Sequence, residues 1–288
     1  MTKKRKSIII GTLLLALLLL AVYIFKNNYQ EENGASIRID TPTLFVHGWG
    51  SSYHAEESMV AYAQKHHATN SVIRADVSST GKVTLIGTIK KRAKNPIVEV
   101  NLQNNKSIFA GTNNQITAMN KSSNYIKDVI TALQKRYRFT RINLVGHSMG
   151  NLQIAYYLRN NATNAHMPQL NKQVSIAGHY NGYVGEQGAP NKTVLNRAGK
   201  PQKMSASYRG LLSLRKKFPQ NADVLNIYGD TGSGSDGDVT VNSARSYRYL
   251  VSKRAHSYQE QEIKGPRAQH SKLHENTNVD RLLVNFLW

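Results

Sequence analysis

An α/β fold with a doubly wound, mostly parallel sheet is what this 288-residue sequence predicts, and three observations carry it. Short apolar runs of strand length alternate with stretches whose apolar residues recur every three or four positions, the signature of strand-helix-strand units. One run, 141–145, leads directly into Gly146-His147-Ser148-Met149-Gly150 and then into a helical stretch. Another, 43–46, ends in His47-Gly48-Trp49-Gly50, so two strand ends carry glycine-containing turns.

The chain opens with a basic segment, 1–7, containing Lys3, Lys4, Arg5 and Lys6. Residues 8–25 follow, apolar except for Gly11, Thr12 and Tyr23. As a helix they would be about 27 Å long, close to the roughly 30 Å hydrocarbon core of a bilayer. A transmembrane signal-anchor is expected. The competing reading, a cleaved secretory signal, calls for a shorter apolar region ending in small residues, and 21–26 offers no such site. Because the basic residues precede the span, the N-terminus is expected in the cytoplasm and the rest of the chain outside, at the cell membrane. Polar residues 26–40 read as a tether.

The α/β domain is expected over 41–288, long enough for one core. After the strand ending at Leu44-Phe45-Val46, residues 56–66 have helical spacing in Met59, Val60 and Ala63, and 71–77 is a second strand. From 78 to 120 the character changes. Alternation at Val83, Leu85 and Ile89, and again at Val98, Val100 and Leu102, is interrupted by Lys90-Lys91-Arg92 and Asn95-Pro96, which reads as a β-hairpin insertion. It would explain why His47 and Ser148 stand 101 residues apart. Helix is expected at 123–137 and after the serine pentad, then strands at 173–177 and 224–228. The Gly-, Asn- and Lys-rich stretch 179–221 reads equally as a cap over the site or a solvated loop. A helix at 242–253, a last strand at 257–263 and a closing helix at 279–288 complete the order.

Formal charge is +21. Only five of the 38 Lys and Arg lie in the first 26 residues, so 33 face 17 acidic residues in the remainder. Such a field favours anionic lipid or wall polymers as partners. Nucleic acid is discounted, because the charge is scattered among Asn, Ser and Gln rather than gathered with aromatics. With no cysteine, disulfides and cysteine-ligated zinc are excluded. No cofactor or metal site is expected.

Ser148, flanked by Gly146 and Gly150 at a strand-to-helix junction, has the pattern of a nucleophile elbow: a sharp, strained turn with no room for side chains on either side. A serine nucleophile needs a base and a group to orient it, in the chain order Ser, Asp or Glu, His. Asp223 would begin a strand and Asp280 lies in the last helix. Asp230, Asp236 and Asp238 remain, in the loop after the strand at 224–228. Asp236 is favoured because it stands three residues before Val239 in a turn that aims the carboxylate back over the sheet. Bound calcium is the rival reading of this acidic loop, against which stands the absence of EF-hand spacing and a closing Glu. For the base, among His166, His179, His256, His270 and His274, His270 follows the last strand most closely and His274 is its alternate; His256 and His166 are set aside. His147 should point into packing, and His47 should fix the Gly48-Trp49 turn by a local hydrogen bond. The backbone N–H groups of Trp49 and Met149 are positioned to hold an oxyanion.

With these residues in place, the chain resembles the α/β-hydrolase superfamily, and within it the membrane-bound cell-surface hydrolases of Gram-positive bacteria. The resemblance is carried by the basic anchor, 45–51, 143–150, 235–239, 269–276 and 285–288. It implies a Ser148, Asp236, His270 triad and hydrolase activity, with the substrate open. One departure from the run common in lipase-like relatives is Asn151 after Gly150. Three functions are expected to compete: a serine hydrolase cleaving carboxylic esters, small-molecule or lipid; a non-catalytic surface domain binding anionic envelope polymers; and a lipid hydrolase at the membrane surface. Peptidase or acyltransferase chemistry would use the same residues.

Overall fold

The computed structural model describes residues 18–22, 37–108 and 114–288. The chain divides between Ile37 and Arg38. Before that point only residues 18–22, as helix, and Ile37 are described; the remainder of the expected span at 8–25, and most of the tether at 26–40, lies outside the described residues. Among the described residues no helix is long and apolar enough to cross a membrane.

The unit from Arg38 to Trp288 is built on an eight-stranded sheet. Its strands are β1 (Thr43–Val46), β2 (Val72–Val77), β3 (Val83–Ile86), β4 (Ile97–Leu102), β5 (Arg141–His147), β6 (Gln169–Ile176), β7 (Asp223–Asp230) and β8 (Ser257–Lys264). They lie in the order β8-β7-β6-β5-β1-β4-β2-β3. Every neighbouring pair is parallel except β2 with β3 at one edge. The chain starts in the middle, winds to the β3 edge and back through β4, then crosses to β5 and winds to the β8 edge. In such sheets ligands bind beyond the carboxyl ends of the strands where the winding reverses, here at β1 and β5.

A parallel sheet needs helices on both faces. On one face α1 (Glu57–Lys65) and α8 (Thr277–Leu287) bury Met59, Val60, Ala63, Val279, Leu283 and Leu287 against Phe45, Val145 and Leu225. Leu44 and Leu144, alternate to Phe45 and Val145 and fully buried, point to the other face. The remaining helices are α2 (Gln115–Gln134), α3 (Met149–Asn161), α4 (Ala206–Leu211), α5 (Leu214–Lys217), α6 (Val241–Arg245) and α7 (Tyr247–Val251).

The β-hairpin insertion expected at 78–120 is not what forms. Residues 83–86 do pair antiparallel, but with β2, matching Val77 to Val83 and Arg74 to Ile86. Residues 97–102 enter the sheet between β1 and β2, parallel to both. The polar Glu99 and Asn101 give 97–102 its alternation, yet Ile97, Val98 and Val100 are fully buried because helices cover both faces. Helix α2 also begins well before residue 123, at Gln115, where the Asn114 side chain accepts the Thr117 N–H at 3.2 Å. The stretch 179–221 divides: Tyr208, Leu211, Leu214 and Phe218 are fully buried, while Tyr183 and Val184 stay half-exposed.

Glu56, just before α1, is 1 % exposed and neither carboxylate oxygen has a hydrogen-bond partner. Burial, and then repulsion from Glu99, pushes its carboxyl well above the usual range. Glu99 on β4 is itself pushed up to about 7, by burial and then by Glu57. A carboxyl raised in the folded state keeps a proton that the unfolded chain releases, so its stabilisation is lost as pH rises above the unfolded value. Glu56→Gln is neutral at every pH and escapes this loss. It should be the more stable protein at pH 8 in thermal unfolding, with the gap growing by up to about 1.4 kcal/mol per pH unit above the unfolded value until the folded carboxyl ionises. A gap that did not change with pH would refute a buried acid here.

Candidate active site

The elbow follows from what surrounds its glycines. A Cβ on Gly150 would lie 2.1 Å from the Val46 carbonyl oxygen, and one on Gly146 would lie 2.6 Å from Asn151 Oδ1 and 2.9 Å from Asn151 N. Only glycine lets α3 start this close to β1. Between them Ser148 sits at φ 52°, ψ −120°, outside the regions L-residues prefer. Such strain costs on the order of 1–3 kcal/mol and persists because the surrounding structure over-determines it. Its effect is to lift the Ser148 hydroxyl clear of the sheet into a cavity.

His270 meets that hydroxyl from the loop after β8. Its Nε2 lies 2.9 Å from Ser148 Oγ, and its Nδ1 lies 2.8 Å from Asp236 Oδ2. Asp236 is 1 % exposed. Its other oxygen, Oδ1, accepts the N–H groups of Asp238 at 3.0 Å and Val239 at 2.6 Å, which fixes the carboxylate plane. A backbone bond from His270 N–H to the Asp236 carbonyl, 2.9 Å, ties the two loops together. A carboxylate can only accept, so Nδ1 carries the proton and Nε2 is left to accept from the serine. Asp236 is turned toward His270 and Asp230 toward its own loop, where Oδ1 accepts the N–H groups of Gly232 and Gly234 at 2.8 Å each. The acids of the loop therefore do not converge, and among the described residues no cluster of three or more His, Cys, Asp or Glu could hold a metal ion.

The cavity has a volume of about 630 Å³, and Ser148, His270, Met149, Gly48 and Trp49 line it. A Cβ on Gly48 would lie 3.0 Å from Ser148 Cβ, so the 48–51 turn stands directly against the serine. Met149 is the first residue of α3, and its N–H has no intrahelical partner. Both expected oxyanion donors, the N–H groups of Trp49 and Met149, thus belong to residues lining the same cavity as Ser148.

Four further imidazoles surround the site, each with its pKa lowered chiefly by burial. His147 Nε2–H donates to the His270 carbonyl at 3.1 Å, and its ring lies 4.9 Å from the rings of His270 and His274. It is held well below the ordinary histidine range. His179 is pushed down to about 3, and His274 and His47 are lowered too. Neutral rings add no positive charge beside His270, where one would oppose its protonation.

Of the remaining candidates, Asp223 sits far down the sheet with His256 and Ser257, at 2.8 and 2.6 Å. Asp280 is buried in α8 with its carboxyl pushed up to about 6. Asp238 contributes only its N–H to Asp236. His274 lines the cavity but does not reach Ser148. Asn151 is fully buried and bridges to β6, Nδ2 donating to the Ile176 carbonyl at 2.8 Å, rather than facing solvent as a polar first-turn residue would. Sequence reasoning passed over Asn105, Gln115 and Glu186 altogether. Gln115 Nε2 donates to Glu186 Oε1 in the cavity wall. Nothing in local sequence marks them, because each reaches the site from a different segment.

The fold is shared with solved structures. A Listeria innocua gene product superimposes with a TM-score of 0.76 at 24% identity, over 86% of this chain and 94% of that one. A proposed cell surface hydrolase from Lactobacillus plantarum does so with a TM-score of 0.66 at 19% identity, over 87% and 89%. No curated protein matches the chain. Residues 30–288 match a family model described as alpha/beta hydrolase of unknown function (DUF915), a span that takes in the whole sheet, the elbow, the acid loop and the histidine loop. The chain belongs to this family of alpha/beta hydrolases.

Proposed function

We infer that the protein is a serine hydrolase that cleaves carboxylic esters, small-molecule or lipid, through an acyl-enzyme on Ser148. One observation carries this reading: the unbroken line Ser148 Oγ, His270, Asp236, with contacts of 2.9 and 2.8 Å, opening on a cavity. Ser148 Oγ attacks the ester carbonyl carbon as its proton passes to His270 Nε2. The carbonyl oxygen becomes an oxyanion between the N–H groups of Trp49 and Met149. As the tetrahedral centre collapses, the C–O bond to the leaving alkoxide breaks and His270 hands its proton to that oxygen. Water then attacks the acyl-enzyme by the same steps in reverse, releasing the acid. Asp236 holds the ring and its tautomer throughout.

The location proposed is the cell membrane, with 8–25 as signal-anchor and 41–288 outside. It is supported by the basic segment before the apolar run and by the name given to the Lactobacillus relative. The excess of basic residues suits contact with anionic lipid or wall polymers.

The two acids of the loop give a sharp contrast. Asp236→Asn would present an amide to His270 Nδ1 and favour the wrong tautomer, lowering kcat on the order of 10⁴-fold. Asp238→Asn keeps the backbone N–H that matters and should stay within a few-fold of wild type. Equal losses in both, measured on a soluble ester, would overturn the assignment. The reading as a whole is tested by fluorophosphonate labelling read by intact mass. One adduct on Ser148 of the folded protein is expected; no adduct would favour the non-catalytic binding domain.

A further inference from the structure

The oxyanion turn is pinned from outside by two side chains, neither of which has a place in the reaction scheme above. Consecutive peptide planes are held separately. His47 is fully buried. Its Nε2 accepts the Leu102 N–H at 3.0 Å, so Nδ1 carries the proton and donates to the Gly48 carbonyl at 2.9 Å. A trans peptide puts N–H opposite C=O, so fixing that carbonyl aims the Trp49 N–H the other way. The next plane carries the Gly50 N–H, and it is Asn105 that holds it.

Asn105 is 4 % exposed and comes from the short 3₁₀ turn after β4, 55 residues away in sequence. Its Oδ1 accepts the Gly50 N–H at 3.0 Å, and its Nδ2 donates to the Ser51 carbonyl. One carboxamide thus satisfies a donor and an acceptor of the same turn, and those two partners set which way round the amide lies. The turn has little rigidity of its own: Gly50 is at φ +73°, and the closing bond from Ser51 N–H to the Gly48 carbonyl is long, 3.4 Å. An oxyanion donor acts only if it is already aimed when charge develops.

We propose that Asn105 is a positioning residue for the oxyanion hole, holding the Gly48–Ser51 turn so that the Trp49 N–H meets the transition-state oxygen. The assignment rests on the serine hydrolase reading and adds to it a residue acting through backbone rather than on substrate. It makes a distinct kinetic prediction. A ground-state carbonyl needs the donor little and the oxyanion needs it much, so the loss falls on kcat and not on KM.

The test uses the full chain in detergent with a soluble short-chain ester, and compares wild type with Asn105→Ala and Asn105→Asp. The aspartate keeps an acceptor for Gly50 N–H but sets a carboxylate oxygen against the Ser51 carbonyl. Both variants should lose about 10- to 1000-fold in kcat with KM within about threefold. Affinity for a boronic acid, whose tetrahedral adduct with Ser148 mimics the transition state, should fall in step with kcat/KM. A residue needed only for stability would lower the unfolding temperature and leave the kcat and boronate affinity of the folded fraction unchanged. That result, or a loss confined to KM, would overturn the proposal. If Asn105→Ala does not fold, the near-isosteric Asn105→Asp decides. Should wild type itself neither turn over the ester nor take the fluorophosphonate, the hydrolase reading fails instead.

Discussion

Ser148→Ala is expected to lower kcat for ester hydrolysis on the order of 10⁶-fold while leaving the fold intact. In the proposed mechanism the hydroxyl is the attacking group, and nucleophile and base act as a unit, so removing either costs about as much as removing the whole triad. What survives would come from the oxyanion donors and substrate binding. His270→Ala should cost a similar factor but differ in stability. Alanine at 148 takes the hydroxyl from His270 Nε2, but His270 lines the cavity, where water can replace it, so unfolding should shift by less than about 1 kcal/mol. Alanine at 270 removes the side-chain partner of Asp236 Oδ2, in a carboxylate that is 1 % exposed. A buried acceptor left unpaired costs about 1–3 kcal/mol, more if it stays charged. Turnover on a soluble ester and urea unfolding, run on both variants, separate the two effects. If Ser148→Ala kept even a hundredth of wild-type turnover, Ser148 would not be the nucleophile.

Gly150→Ala should be among the most destabilising small substitutions at the described residues. The added methyl would lie 2.1 Å from the Val46 carbonyl oxygen, 2.9 Å from its carbon and 2.9 Å from the His47 carbonyl oxygen. These are backbone atoms at the end of a central strand, paired to β5 on one side and β4 on the other, so neither they nor α3 can give way cheaply. A loss above about 4 kcal/mol is expected, with little soluble protein. Gly185→Ala is the control: at φ +82° with open space around it, it carries only the left-handed penalty of about 1–2 kcal/mol. Comparable urea midpoints for the two would mean that the elbow does not sit as close to β1 as described.

Local pattern made the strands around the site legible. The 43–46 and 141–145 runs, the glycine spacing about Ser148 and the placing of Asp236 and His270 just past strand ends were all visible, because each is a short-range consequence of a strand meeting a turn. Between the acids, the arithmetic of the turn separated Asp236 from Asp238: three residues before Val239 is the distance at which Oδ1 can cap the Val239 N–H. The region 78–120 departs from its local pattern for a physical reason. Alternation tells that a stretch is extended, not what it pairs with, and β4 carries Glu99 and Asn101 at positions that a strand covered on both faces usually fills with apolar side chains. The absence of a strong helical signal before 123 hid the first turns of α2, which depend on the Asn114 cap and on packing against α3 rather than on an apolar stripe.

The sequence by itself determined the fold class, the chain order of the serine, aspartate and histidine that meet in the cavity, and the apolar run near the N-terminus, since these follow from periodicity, glycine sterics and length. Only the tertiary structure decided that 97–102 is a central strand, that His270 rather than His274 reaches Ser148, and that Asn105, Gln115 and Glu186 belong to the site. Contacts between segments 50 or more residues apart are chosen by which surfaces the whole sheet brings together, and no local pattern encodes that choice.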